Sequence, residues 1–248
     1  MKVLITGATG LIGQHLGLFL AENNHEVVVL ARNVERAKLQ LPFPCSIHKW
    51  DLFSGEAPKE AFEGVDAVVH LAGFPIADGR WTKTRRDKIL QSRVKGTRHL
   101  VQTIAGLSKK PSTFLSASGI GYYPFSDSQV FDESSEPGNG FLSEVCKKWE
   151  REAMELAAVD SSIRKVIVRI GLVLSSSGGA LDKMLPLAQE GVLGAAGSGQ
   201  QIMSWIHIHD LVRSMVFALE NSSVEGPYNG VSHNAVSNSE FNLFQGLL

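Results

Sequence analysis

Three glycines near the start of the chain have the spacing of a pyrophosphate-binding turn. Gly7, Gly10 and Gly13 follow the apolar run Lys2–Thr6 and accompany a helical pattern that begins at Leu11. In such a strand–turn–helix, the glycines permit a tight turn, close approach of a pyrophosphate and close packing of the helix. The helix N-terminus adds free N–H groups and a positive dipole. An ordinary glycine turn is the alternative, but the context favours a dinucleotide site.

An arginine after the second apolar run predicts which dinucleotide is preferred. Arg32 lies just beyond Val27–Leu30 and 19 residues after Gly13. An acidic residue there would bind the 2′-hydroxyl of NAD, whereas an arginine suits the 2′-phosphate of NADP. A solvated loop arginine is the alternative interpretation. We therefore expect NADP, or NADPH, to be preferred over NAD.

The composition narrows the class of protein. The chain has 248 residues, of which 44% are hydrophobic and 20% are charged, and its formal net charge is −1. This balance is ordinary for a globular domain and predicts neither a nucleic-acid nor a membrane partner. Cys45 and Cys146 lack metal-ligand spacing, so free thiols in a reducing compartment are expected. With no apolar run of about 18 residues and a first strand at Lys2, a cytoplasmic location is expected.

The alternation of short strands and helices predicts an α/β fold. Expected strands at 2–6, 27–30, 46–51, 66–70, 112–117 and 164–170 alternate with expected helices at 11–24, 81–107 and 141–159. This order predicts a Rossmann-type, doubly wound parallel sheet with right-handed crossovers. Residues 1–171 are assigned to this dinucleotide-binding domain, with 205–221 packing back on it. Residues 172–204 and 222–248 are expected to form a small C-terminal substrate lobe.

The end of the chain carries signals for one more helix. Ser237 and Glu240 have the spacing of a capping box, which satisfies backbone N–H groups at a helix start. An apolar stripe at helical spacing follows, formed by Phe241, Phe244, Leu247 and Leu248. Because only about three turns are available, we expect an incomplete lobe and an apolar surface without its partner. A short helix packed at the end of the domain is the alternative.

Several motifs in a fixed order resemble one family. They are GATGLIG (7–13), HLAG (70–73), SRVKGT (92–97), CKKWE (146–150), RIGLVL (169–174), GSGQQ (197–201) and WIHIHDL (205–211). The chain resembles the extended short-chain dehydrogenase/reductases, in the NAD(P)-dependent epimerase/dehydratase group, and within it the atypical YfcH-like branch. The resemblance runs from Lys2 to about Phe241. It implies that relatives continue past Leu248 to complete the substrate lobe.

The resemblance implies a set of cofactor contacts. Residues expected to wrap the pyrophosphate are Gly7, Thr9, Gly10, Leu11, Ile12 and Gly13. Residues expected at the adenosine end are Ala31 and Arg32 at the 2′-phosphate, and Asp51 and Leu52 beside the adenine. Residues expected at the nicotinamide end are Leu71, Ala72 and Gly73, together with Leu142 and with Arg93, a second basic contact where many relatives carry asparagine.

The same resemblance implies a catalytic serine, but the chain lacks the family's proton-transfer pair. Ser118 stands where relatives carry the serine, and Tyr122 follows four residues later. Working relatives carry Tyr-x-x-x-Lys on one helix face, where the lysine lowers the pKa of the tyrosine and holds the ribose of the cofactor. Here Leu142 and Cys146 occupy those positions, and the two lysines after Cys146 point to other faces. Tyr122 is a candidate replacement acid, and packing against its loop is the alternative.

These features predict an NADP-dependent oxidoreductase or epimerase-like enzyme acting on a small polar substrate, such as a nucleotide sugar. Hydride would pass between substrate and nicotinamide while Ser118 orients the substrate oxygen. The rival is a catalytically impaired NADP(H)-binding protein that regulates a protein partner. The pair His207 and His209 predicts structural hydrogen bonds rather than a metal site, because no other ligand cluster accompanies it. A homodimer is a further expectation.

Overall fold

The computed structural model describes residues 1–126, 128–190, 194 and 197–245, without the side chains of residues 183, 187, 188 and 242–245. Its strands are β1 (Lys2–Thr6), β2 (Glu26–Ala31), β3 (Ser46–Lys49), β4 (Ala67–His70), β5 (Thr113–Gly119), β6 (Arg164–Ile170), β7 (Leu172–Leu174), β8 (Ile202–Met203), β9 (Trp205–His207), β10 (Gly226–Gly230) and β11 (Val236–Ser237). Its helices are α1 (Leu11–Glu22), α2 (Val34–Gln40), α3 (Lys83–Ala105), α4 (Phe141–Met154), α5 (Leu156–Val159), α6 (Ala180–Gln189), α7 (Ile208–Glu220) and α8 (Asn238–Gln245). Short 3₁₀ turns lie at Lys59–Phe62 and Ile120–Tyr122.

A seven-stranded parallel sheet organises the chain, in the order β10-β6-β5-β4-β1-β2-β3. The strand order runs outward from β1 in both directions, first through β2 and β3 and then back through β4. Ligands of doubly wound sheets bind at such a reversal, outside the carboxyl ends of the strands. The sheet thus directs attention to the loops that follow β1 and β4, which carry the glycine turn and Leu71–Gly73.

Apolar side chains alternate between the two faces of the sheet and bury a core on each. On one face, Val3 and Ile5 pack in a cluster with residues of α1 and α7, such as Leu16 and Leu211. On the other, Leu4 packs in a cluster with residues of α3 and α5. Strands buried on both faces explain the continuous apolar runs of the sequence. The Rossmann-type α/β prediction is confirmed.

The strand β10 differs from the sequence prediction. The sequence predicts that residues 226–230 belong, with the rest of 222–248, to the small lobe, whereas they pair in parallel with β6 at the edge of the central sheet, with Tyr228 opposite Val168. The sequence Gly226–Gly230 contains glycine and proline, which weaken a strand signal and are tolerated at an edge. The rest of the C-terminal region forms two small two-stranded sheets, β7 with β9 and β8 with β11.

The capping box at the start of α8 forms as expected. The Ser237 N–H donates to Glu240 Oε2 at 2.8 Å, and the Glu240 N–H donates to Ser237 Oγ at 3.2 Å. Phe241 is buried. The side chains of Phe244, Leu247 and Leu248 lie outside the described residues, so the expectation of an uncovered apolar stripe stays a prediction. No described helix combines the length and apolar character needed to cross a membrane.

Candidate dinucleotide-binding site

The turn between β1 and α1 has the conformation that a phosphate cradle requires. Gly7 adopts φ +76°, which side chains disfavour, and the Gly10 N–H donates to the Gly7 carbonyl at 3.0 Å. Helix α1 then begins at Leu11 with no side-chain cap and no acidic residue in its first turn. Its first N–H groups and positive dipole end are therefore available to an anion.

Steric constraints show why two of these positions must be glycine. A Cβ on Gly7 would lie 2.8 Å from the Ala72 nitrogen, and a Cβ on Gly13 would lie 2.6 Å from Ala8 Cα. Both neighbours are backbone atoms, which cannot move aside as a flexible side chain would. A Cβ on Gly10 would meet only the Gly7 oxygen, at 3.3 Å. The turn thus fits closely around its own backbone, and the uncapped start of α1 stays open to an anion.

A crevice of about 340 Å³ lies in front of this turn. Its near wall contains Gly7, Gly10–Gly13 and Leu71, as the sequence predicts. Its far wall consists of Gly171–Val173 with Gly179 and Ala180, which sequence reasoning placed outside the cofactor site. The only signal for this wall was the RIGLVL motif. Glycines at 178 and 179, both with positive φ, bring the loop after β7 against Leu11.

The predicted adenosine contacts gather at the carboxyl ends of β2 and β3. The Trp50 N–H donates to the Ala31 carbonyl at 2.9 Å, which places the loop 51–52 beside the end of β2. Asp51 accepts a hydrogen bond from the Phe53 N–H, and Leu52 packs on Gly96 of α3. Arg32 is exposed, and its side chain has no ion pair within the described part of the chain. It is therefore free to meet an anion.

Arg36 is a second exposed cation at this end that the sequence prediction missed. It lies in the first turn of α2, whose N-cap Asn33 accepts a hydrogen bond from the Arg36 N–H at 2.9 Å. The sequence signal for this residue is its spacing, since a basic residue follows Arg32 by four positions. Together, Arg32 and Arg36 make this corner basic.

A buried histidine ties the ends of β1 and β4 to α3. His70 Nδ1 lies 2.7 Å from Thr6 Oγ1, and His70 Nε2 lies 3.0 Å from Thr97 Oγ1. Thr6 Oγ1 also accepts the Ala72 N–H at 3.3 Å. Burial, with a smaller contribution from the nearby Arg93 charge, lowers the pKa of His70 to about 3. His70 is therefore neutral and holds the loop 71–73 under the crevice.

His70 makes stability depend on pH in a defined direction. The unfolded chain takes up a proton below pH 6.5, but the folded protein takes it up only near pH 3, so stability falls between these values. Lowering the pH from 7 to 4 should therefore reduce the free energy of unfolding by about 3 kcal/mol through this histidine alone. Urea unfolding of His70→Gln should show a drop smaller by about this amount. The control His233→Gln, at an exposed position, should show the same decrease in stability as the wild type. Identical dependence of the free energy of unfolding on pH in the wild type and both variants would contradict the role given to His70.

The serine at the end of β5 belongs to a buried ionic network. Ser118 Oγ donates to Glu150 Oε1 at 2.6 Å, and Arg169 donates to both oxygens of Glu150, each at 3.0 Å. Ser118 and Arg169 are buried. The sequence prediction has Ser118 orienting a substrate oxygen, whereas its proton is directed here to Glu150. A lone pair of Ser118 remains for an incoming hydroxyl.

The two tyrosines after Ser118 pack on the same arginine. The Arg169 guanidinium carbon lies 3.5 Å from the centre of the Tyr122 ring, and Arg169 Nη1 donates to the Tyr123 hydroxyl at 2.9 Å. Tyr123 in turn donates to Asn229 Oδ1 of β10 at 2.7 Å. Burial raises the pKa of Tyr122, which Arg169 partly opposes. Tyr122 as a replacement acid stays a prediction, and its stacking on Arg169 is a packing role.

The model of the NAD dependent epimerase/dehydratase family matches residues 3–230 of the chain. The chain belongs to this family. A relative from Arabidopsis thaliana, the chloroplastic epimerase family protein SDR39U1 homolog, is 39% identical over 239 residues. That alignment covers 95% of this chain and 67% of the relative. The epimerase family protein SDR39U1 of Homo sapiens is 35% identical, over 97% of this chain and 78% of the relative.

Solved structures of epimerases share the fold. The human epimerase family protein SDR39U1 (isoform 2), crystallised with NADPH, superposes with a TM-score of 0.84 at 34% identity, covering 99% of this chain and 80% of that chain. A nucleoside-diphosphate sugar epimerase from Corynebacterium glutamicum gives 0.83 at 31% identity, covering 99% of this chain and 49% of that chain. Both share with this epimerase-family chain the sheet that carries the crevice.

The resemblance aligns the Tyr-x-x-x-Lys pair of the epimerase family with Leu142 and Cys146 of this chain. Leu142 is half-buried against Gly121, where an added Cβ would lie 3.0 Å from Leu142 Cβ. Cys146 is buried beside Ser118, Gly119 and Arg93, and burial raises the pKa of its thiol. The neighbouring Lys148 instead pairs with Glu144 at 2.9 Å. The side chains of Leu142 and Cys146 thus lie near the end of β5, and their correspondence to the tyrosine and lysine of the family stays a prediction.

The histidine pair of this epimerase-family chain has a structural role. His207 caps α7 by accepting the His209 N–H at 3.3 Å, and the two rings meet edge to face. Across the described residues, no group of three or more histidine, cysteine or acidic side chains is placed to hold a metal ion.

Proposed function

We propose that the protein binds NADP(H) and acts as an oxidoreductase or epimerase-like enzyme on a small polar substrate. The glycine turn carries this proposal, because its Cβ-intolerant backbone and uncapped helix N-terminus fit a dinucleotide diphosphate. The free cation Arg32 at the end of β2 supports the phosphorylated form of the dinucleotide. The NADPH in the crystal structure of the human relative supports the same choice.

The bound nicotinamide would supply or accept hydride, and the residues of this chain would position it. The N–H groups at the start of α1 hold the diphosphate, and Leu71 and Val173 of the opposite crevice walls exclude water. Ser118, fixed by Glu150, offers a hydrogen-bond acceptor at the carboxyl end of β5.

Cationic side chains at the start of α3 and the aromatic rings they contact, one of them that of Phe74 directly after the loop 71–73, form a basic rim that supports a polar, anionic substrate. Arg85 and Lys88 lie over the ring of Phe74, and Arg86 lies over the ring of Phe141. None of these three cations forms an ion pair among the residues described. Phosphate groups of a nucleotide sugar are one substrate chemistry that such a rim would attract.

Arg32→Ala tests the cofactor assignment. Loss of one charge-assisted phosphate contact costs about 1.5–3 kcal/mol, so NADPH affinity should fall about 10- to 100-fold. NADH affinity should not change, since NADH has no 2′-phosphate. Calorimetric titration of both nucleotides measures this, with exposed Lys95→Gln as the control. Equal affinity of the wild-type protein for NADPH and NADH would contradict the assignment.

The absence of the tyrosine–lysine pair favours a second candidate, an NADP(H)-binding protein without turnover that regulates a partner. Leu142 and Cys146 cannot transfer a proton as that pair does. Incubation with NADPH deuterated at C4 and a panel of oxidised nucleotide sugars separates the two candidates. Deuterium in the sugar, detected by mass spectrometry, supports the enzyme. NADPH binding with no transfer to any sugar favours the regulatory protein.

For partners and location the proposal follows the sequence. The near-neutral net charge of −1 supports neither a nucleic-acid nor a membrane partner. A cytoplasmic location and a homodimer are proposed from the sequence. Sedimentation of the purified protein measures whether it is a dimer.

A further inference from the structure

Arg93 is set apart from the other buried cations. Three cationic side chains are buried in the described part of the chain, Arg93, Lys165 and Arg169. Lys165 pairs with Glu225 at 3.4 Å, and Arg169 pairs with Glu150 at 3.0 Å. Arg93 has no carboxylate partner among the described residues, although it is only 8% exposed. A buried charge without a partner is costly, so this position calls for an explanation.

The protein holds Arg93 in place but satisfies only part of its hydrogen-bonding capacity. Nη1 donates to the Phe74 carbonyl at 3.0 Å and to the Ile89 carbonyl at 3.2 Å, and the guanidinium lies over the Trp149 ring. Nε and Nη2 donate to no described protein atom, and neither is sealed from solvent. Burial lowers the pKa of Arg93 to about 10, so the group stays charged at neutral pH. Its free donors therefore face the space beside it.

Arg93 lies against the loop 71–73, which the family resemblance places at the nicotinamide end of the proposed site. A Cβ on Gly73 would lie 3.1 Å from the guanidinium carbon of Arg93, which places the cation directly against the loop 71–73. Cys146, at the position of the family lysine, neighbours Arg93 and the end of β5 at Gly119. The cation from α3 thus lies beside the position where the family carries one from α4.

We propose that Arg93 takes over the binding role of the missing lysine and donates to the oxygens of the nicotinamide half of NADP(H). The proposal rests on the proposed function, since it assumes that the crevice holds this dinucleotide. An arginine keeps its proton at all physiological pH values. Arg93 therefore binds and positions, and the step that needs a proton donor is left to another group. A site of this kind retains cofactor affinity after losing the tyrosine–lysine pair.

Two nucleotides that share their adenosine half provide the test. NADPH and 2′,5′-ADP both carry the 2′-phosphate, but only NADPH carries the nicotinamide half. Arg93→Gln should weaken NADPH binding about 10- to 100-fold and leave 2′,5′-ADP binding within about twofold. Arg32→Ala should weaken both ligands. Calorimetric titration of each variant with each nucleotide gives the four affinities.

The controls separate binding from folding. Arg93→Lys keeps a charge and should lose less NADPH affinity than Arg93→Gln, and it serves alone if the latter does not fold. Lys95→Gln, an exposed change on the same helix, should bind both ligands normally. Unchanged NADPH affinity in the Arg93 variants, or equal loss for both nucleotides, would overturn the role of Arg93. A wild-type protein that binds neither nucleotide would instead refute the proposed function.

Discussion

Gly13→Ala is expected to remove NADPH binding, with an affinity loss of at least about 100-fold. The added methyl group would lie 2.6 Å from Ala8 Cα and even closer to the Gly7 oxygen. Since both are backbone atoms, α1 must move away from the turn. The N–H groups at its start then no longer converge on the diphosphate. Crowding at a packed position also costs about 1–3 kcal/mol of stability.

Two glycine variants calibrate this result. Gly10→Ala meets only the Gly7 oxygen, at 3.3 Å, so its structural cost should be smaller while its methyl group still obstructs the diphosphate. Gly140→Ala, at the N-cap of α4, meets no atom within 4 Å and should bind NADPH normally. Thermal unfolding and fluorescence titration measure both quantities. Retention of NADPH affinity within about fivefold in Gly13→Ala would refute the placement of the diphosphate.

Glu150→Gln is expected to destabilise the protein by about 3–5 kcal/mol, because it leaves Arg169 buried without a carboxylate. Arg169 is 3% exposed and donates to both oxygens of Glu150. Ser118 also loses its charged acceptor. The shape of the side chain is preserved, so the loss reports on charge rather than on packing. Urea unfolding at pH 7 gives the free energy.

The same helix supplies a matched control. Glu144→Gln removes an exposed acid that pairs with Lys147 and Lys148, and it should change stability by about 0.5 kcal/mol or less. The double variant Glu150→Gln/Arg169→Gln should lose much less stability than the sum of the losses of the two single variants, because the two side chains are coupled. A Glu150→Gln variant within about 1 kcal/mol of wild type would show that water replaces the lost charge partner.

Local sequence features were sufficient to predict most of the fold. The strands β1, β2, β4 and β6 are rich in apolar, β-branched residues, and the strand-to-helix alternation allows little besides a doubly wound sheet. The glycine triplet was readable because its steric requirements lie within one turn. The replacement of the family pair by Leu142 and Cys146 was also visible, since helical spacing alone places them on one face.

The sequence determined the sheet strands β1 to β6, the glycine turn and the basic end of β2, while only the tertiary structure decided which side chains are paired and which are left free. The edge strand β10 and the far wall of the crevice depend on partners far along the chain. Ser118 was readable as a site residue, but its bond to Glu150 joins positions 32 residues apart. Arg93 differs from Arg169 only in what folding brings against it. Burial and pairing are properties of distant contacts, and those contacts exist only once the sheet has assembled.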